Sequence, residues 1–141
     1  MSLVFWDTNL FLYWLEDHPR YADRVGEIRR KMILRKDRLS TSALTIGEIL
    51  AGPLARGDED LASRYRTWLA PPQVEILPFD AATAEHYARI RRDRAITPAD
   101  AIQLACAAAA GVDLFLTNDR RLHGRVVSGI QFISGLDVNV L

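Results

Sequence analysis

Residues 3–9 read Leu3-Val4-Phe5-Trp6-Asp7-Thr8-Asn9, four consecutive apolar side chains that stop at three polar ones. An amphipathic helix would space its apolar residues three and four apart, and a half-exposed strand would alternate them. A run apolar on consecutive positions suits a strand buried on both faces, as in a parallel sheet. Working outward, a helix is expected over 10–15, stopping before Pro19. Tyr21, Val25, Ile28 and Met32 then recur at helical spacing among charged residues, which predicts an amphipathic helix. Residues 39–43 read as a second short strand. Two helices follow, one carrying Ile46, Ile49, Leu50 and Leu54, the next Leu61, Tyr65, Trp68 and Leu69. Pro71-Pro72 breaks the chain, 74–77 reads as a strand closed by Pro78, and a helix is expected from about 80 to 92. Thr97-Pro98 is a helix start, with Thr97 as cap and Pro98 in the first turn, and Gly111 is its stop. That helix is apolar nearly all round and should be buried against the sheet. Residues 114–117 and 131–133 complete the strands. The alternation predicts an α/β fold, a mainly parallel sheet sandwiched by helices (α/β/α), with residues 1–141 forming a single domain.

Composition narrows the classes. Of 141 residues, 49% are hydrophobic and 26% charged, which is ordinary globular composition and argues against disorder. Cys106 is the single cysteine, so no intramolecular disulfide is available and a reducing compartment is favoured. Its place in an alanine-rich helix suits a small core residue. Lys plus Arg equals Asp plus Glu at 18 each, which excludes a strongly basic whole domain but not a local basic stripe. Only Lys31 and Lys36 are lysines, and arginine's planar fork suits phosphate. Arg89, Arg91, Arg92 and Arg94, and Arg120, Arg121 and Arg125, form clusters that suit either phosphate contact or a solvated face. The apolar opening, 1–6, is too short for a signal sequence, and the run at 104–112 is far short of the ~20 residues a bilayer needs. The expectation is a cytoplasmic protein without a membrane segment.

Familiar phosphate and metal motifs fail. Gly47 and Gly52 have a phosphate-loop spacing, but Pro53-Leu54 stand where Lys-Ser/Thr is required. His18, His86 and His123 are scattered and read as surface residues. The acids remain. Ligands of open α/β sheets bind outside the carboxyl ends of the strands. Asp7 follows the first strand and Asp119 follows a later one. Glu48 is expected in the first turn of the helix after the second strand, and Asp100 in the first turn of the buried helix. Singly, each has an ordinary explanation: Thr45-x-x-Glu48 and Thr97-x-x-Asp100 resemble capping boxes, and an Asp after a strand is a common turn former. Together they fall at one edge. Two unit charges ~6 Å apart repel by roughly 3 kcal/mol at an effective dielectric near 20. Three such pairs would rival a domain's whole stability of about 5–15 kcal/mol. A cluster of this kind must raise its pKa values or hold a cation, and oxygen-only ligands favour a hard ion such as Mg²⁺ or Mn²⁺. An acidic site with such an ion points to phosphoryl chemistry.

These blocks, Val4-Phe5-Trp6-Asp7-Thr8-Asn9, the helix-borne Glu48, Pro98-Ala99-Asp100-Ala101 before an alanine-rich helix, and Leu116-Thr117-Asn118-Asp119, resemble the PIN-domain family in order and spacing. Within it the chain is similar to the VapC-like toxins of prokaryotic toxin–antitoxin pairs. The resemblance implies a Mg²⁺-dependent endoribonuclease, with Mn²⁺ as a possible substitute. It implies Asp7 and Asp100 as principal metal ligands, with Glu48 and Asp119 orienting water at the ion or holding a second one. Thr8 would support the site through its hydroxyl and Asn118 would orient neighbouring acids. Apart from the resemblance, Arg120 and Arg121, just beyond Asp119, are candidate RNA contacts by position, with a solvated or salt-bridged face as the alternative. A cognate antitoxin and a homodimer are the implied partners. Two other readings stay open: a non-catalytic PIN-like RNA-binding or scaffold protein, and a metal-dependent nuclease or phosphatase outside toxin–antitoxin biology. A response-regulator receiver would need a lysine after a late strand, and both lysines lie early.

Overall fold

Leu3–Trp6 forms β1, which lies at the centre of a five-stranded sheet, and all four of its residues are buried. The computed structural model describes residues 1–137. The last four residues of the expected domain span lie outside them. The other elements follow as α1 (Thr8–Leu15), α2 (Ala22–Arg35), β2 (Arg38–Ser42), α3 (Ala43–Ala55), α4 (Glu59–Trp68), β3 (Glu75–Leu77), α5 (Ala81–Ile90), α6 (Pro98–Ala110), β4 (Leu114–Leu116) and β5 (Phe132–Ser134). The strand order is β3-β2-β1-β4-β5, and every pairing is parallel.

This order dictates the layering. From β1 the chain steps outward to β2 and then β3; it then crosses back past β1 to β4 and β5. Parallel crossovers are right-handed, so steps in opposite directions must use opposite faces of the sheet. Side chains of β1 divide accordingly, as the two-residue period of a strand requires. Leu3 and Phe5 enter a core with α5 and α6 residues such as Ile90, Leu104 and Ala105. Val4 and Trp6 enter the other core, with Leu10, Val25, Met32, Ile49 and Tyr65 from α1 to α4. Both faces of β1 are therefore covered, which is why its apolar residues are consecutive.

The polar residues of β2 are accommodated by donating to its neighbour. Ser40 Oγ donates to the Val4 carbonyl at 3.0 Å and Thr41 Oγ1 to the Trp6 carbonyl at 2.9 Å. Helix α6 starts and stops as expected: Thr97 accepts from the Asp100 N–H, Pro98 opens the first turn, and Gly111 takes the left-handed cap at φ 66°. Gly129 is required for a different reason. At φ +99°, a Cβ there would lie 2.6 Å from the Ala108 carbonyl oxygen of α6.

The structure corrects several expectations. Helix α3 begins at Ala43 with Ser42 as its N-terminal cap, so Thr45 is an interior residue, no capping box forms with Glu48, and Glu48 lies in the second turn. The strand at 39–43 yields to the helix one residue early. The histidines are not simple surface residues. His18 accepts backbone N–H groups from Arg20 and Tyr21, and half-buried His123 places Nε2 2.7 Å from the Thr117 carbonyl. Among the described residues, no helix is long and apolar enough to cross a membrane.

Candidate metal centre

The sheet reverses its winding between β1 and β4, the topological switch point at which open α/β sheets open a crevice. Asp7 stands at that point. Its N–H donates to the Leu116 carbonyl of β4 at 2.9 Å, and its carboxylate caps α1 by accepting the Thr8 N–H at 2.9 Å. Thr117 follows β4 and donates Oγ1 to Asp7 Oδ2 at 2.7 Å, while Gln103 Nε2 of α6 lies 3.3 Å from Oδ1. Asp7 is only 8% exposed. Burial pushes its carboxyl above the usual aspartate range, the Thr117 and Thr8 hydrogen bonds oppose this, and the nearby Asp100 charge adds to the rise.

The other acids reach the same point from separate segments. Asp100 occupies the first turn of α6, where the helix dipole favours negative charge, and its N–H is held by Thr97 Oγ1 at 3.2 Å. Asp119 follows β4, with its N–H donating to Thr117 Oγ1 at 3.0 Å. Thr117 thus ties Asp119 to Asp7. Arg121 donates to Asp119 three times, from its backbone N at 3.0 Å, Nε at 3.0 Å and Nη2 at 2.6 Å. These bonds hold the Asp119 carboxyl below the usual range. The same Nη2 lies 3.5 Å from Asp100 Oδ2. Exposed Glu48 projects from α3 and accepts from Thr8 Oγ1 at 2.7 Å.

All four acids line one cavity of about 250 Å³, together with Thr8, Asn9, Leu12, Ala99 and Gln103. Asn118 stands beside it but binds elsewhere: its N–H donates to Asn9 Oδ1 and its Nδ2 to the Tyr13 hydroxyl. The acid-orienting contact expected of Asn118 is made by Thr117. Arg120 is exposed, whereas Arg121 folds back onto the acids.

Beneath the acids lies a buried polar network that sequence reasoning missed. Gln103 Nε2 lies 3.1 Å from Thr8 Oγ1 and 2.8 Å from Thr45 Oγ1, and its Oε1 accepts from Ser42 Oγ. Thr45 Oγ1 also lies 2.8 Å from Thr41 Oγ1 and 3.0 Å from Thr8 Oγ1. The available signal was Gln103 itself, a lone amide in the apolar stretch of α6, where a buried polar group must have partners. Replacing it with leucine would take the acceptor from the Ser42 hydroxyl and a donor from each of Asp7, Thr8 and Thr45. Gln103→Leu is expected to lower stability by about 1–3 kcal/mol, measured by thermal denaturation.

The donor set suits a hard divalent ion. It offers carboxylate, hydroxyl and amide groups with no thiolate or imidazole, and Asp7 is a buried carboxylate with another acid's charge nearby. Among the described residues no three acids stand close enough to enclose an ion by themselves. Mg²⁺ does not require that, because it keeps several waters and binds through one or two carboxylates.

The PIN domain family model matches residues 4–126. Ribonuclease VapC23 from Mycobacterium tuberculosis is 32% identical over 123 residues, which span 85% of this chain and 95% of that protein. The crystal structure of VapBC2 from Rickettsia felis bound to a promoter DNA fragment superimposes with a TM-score of 0.75 at 17% identity, covering 94% of this chain and 98% of that one. DNA-bound VapBC from Salmonella typhimurium gives 0.73 at 23% identity, covering 96% and 99%. With the family model spanning every sequence block that meets in the acidic cavity, the chain belongs to the PIN domain family, in its VapC-like branch.

Proposed function

We propose that the protein is a divalent-metal-dependent endoribonuclease, the toxin of a toxin–antitoxin pair, built as one PIN-like domain. The observation that carries this reading is the meeting of Asp7, Glu48, Asp100 and Asp119, drawn from four distant segments, around one cavity at the strand ends. Nucleases of this family generally use divalent metal, and the VapC23 relative is named a ribonuclease. Asp7 and Asp100 are the proposed metal-holding pair, with Glu48 and Asp119 completing the site. Mg²⁺ bound there, or Mn²⁺ in its place, would activate water and offset charge building on a phosphodiester.

The chain's own groups divide the remaining work. Thr117, Gln103 and the Thr8 N–H fix the Asp7 carboxylate, so little reorganisation is needed when a cation arrives. Thr8 fixes Glu48 at the rim, where an exposed carboxylate can accept a proton from water. Arg121, which reaches Asp119 and Asp100, and its exposed neighbour Arg120 are the proposed contacts for RNA phosphates. The VapBC complexes among the structural neighbours support an antitoxin partner. We place the protein in the cytoplasm, as a homodimer.

Cleavage of a labelled RNA by the purified protein tests the reading. Activity should require added Mg²⁺ or Mn²⁺, fall by at least about 10²-fold in excess chelator, and return when the ion is restored. Full activity in chelator would overturn the metal mechanism. Metal and RNA binding without cleavage would support the scaffold alternative.

A further inference from the structure

We propose that Arg121 is the acidic pocket's own counter-cation, a guanidinium that a divalent ion must displace from Asp119 and Asp100. The inference rests on the metal-dependent reading above and adds a competitor to it. One nitrogen, Arg121 Nη2, is 2.6 Å from Asp119 Oδ2 and 3.5 Å from Asp100 Oδ2, so a single positive group serves carboxylates from two segments. Nε adds a second bond to Asp119 at 3.0 Å. The guanidinium therefore does within the chain part of what a cation does in the cluster: it lies between like charges and offsets their repulsion.

Exposure makes the contact exchangeable. The Arg121 side chain is 63% exposed, against 20% for Asp119 and 18% for Asp100. Ion pairs with one arm in water are weak, so the arginine can swing out while the carboxylates remain in place. Its backbone need not move. The Arg121 carbonyl accepts Arg125 Nε at 3.0 Å, and Arg125 is in turn paired with Asp93. Arg121 would thus set the ion concentration at which the pocket fills. A purely structural brace for Asp119 predicts the opposite, since its loss would disorder an acid and weaken ion binding.

The test is Mn²⁺ binding to the purified protein, measured by calorimetry, with thermal denaturation with and without Mn²⁺ as a second readout. Arg121→Ala should bind Mn²⁺ about 3- to 30-fold more tightly than the parent, the range given by losing one or two partly exposed ion pairs. It should also melt lower than the parent without Mn²⁺ and gain more on saturation. Arg121→Lys, which keeps the charge, should stay within about 3-fold of the parent. Unchanged or weaker binding by Arg121→Ala overturns the inference while leaving the metal site standing. Absence of Mn²⁺ binding by the parent overturns both.

Discussion

Asp7→Asn is expected to reduce RNA cleavage by at least about 10²-fold while leaving the fold as stable as before or more so. The reasoning separates the charge from the shape. The substituted amide keeps an oxygen to accept the Thr8 N–H at the start of α1, and the Thr117 hydroxyl can turn from donor to acceptor opposite the new NH₂ group. What disappears is a carboxylate that burial disfavours and that Asp100 repels. Because burial raises the folded pKa above the unfolded value, the folded protein holds the proton more tightly, and this group lowers stability as pH rises through the ordinary aspartate range. The variant should lose that slope. Cleavage assays with Mg²⁺, set beside melting curves from about pH 4 to 7, check both halves of the prediction. A variant that cleaves like the parent would exclude Asp7 from the reaction.

The second large effect concerns the sheet. Phe115 of β4 is fully buried and stacks on Phe5 of β1, with ring centroids 4.8 Å apart and planes 7° from parallel. The two residues are register partners across the β1–β4 pairing, on the face covered by α6. Phe115→Ala should cost about 3–5 kcal/mol, much of the stability of a domain this size. Melting should fall by roughly 10–20 °C. Activity should fall with it at assay temperatures near the new transition, because β4 leads directly into Thr117 and Asp119 beside Asp7. A loss of stability under about 1 kcal/mol would mean that α6 and the strands collapse into the gap.

The sequence carried most of the architecture. The consecutive apolar residues of β1 announced a strand covered on both sides, because period-two side chains must all be apolar when both faces are buried. Thr97-Pro98 and Gly111 marked the limits of α6 through local chemistry, capping at one end and a left-handed residue at the other. The four acids and the family resemblance were legible for a related reason: they sit in short blocks whose order and spacing along the chain match the family's. Boundaries were less legible where tertiary contacts compete with propensity. The start of α3 is one case. Thr45 has the chemistry of a helix cap, yet it is an interior residue because Thr8, Thr41 and Gln103 offer its hydroxyl buried partners.

By itself, then, the amino-acid order determined the class of fold, the identity of the acids and the end of the sheet at which they lie, since each follows from patterns within about a dozen residues. Only the tertiary structure decided which neighbours give those acids different characters. Asp7 is raised by burial against the opposing hydrogen bonds of Thr117, Thr8 and Gln103, whereas Asp119 is lowered by Arg121. The physical reason is range. Periodicity and capping act between residues close in the chain, while desolvation and charge act between groups close in space, and Gln103 and Asp7 are 96 positions apart before the sheet brings them together.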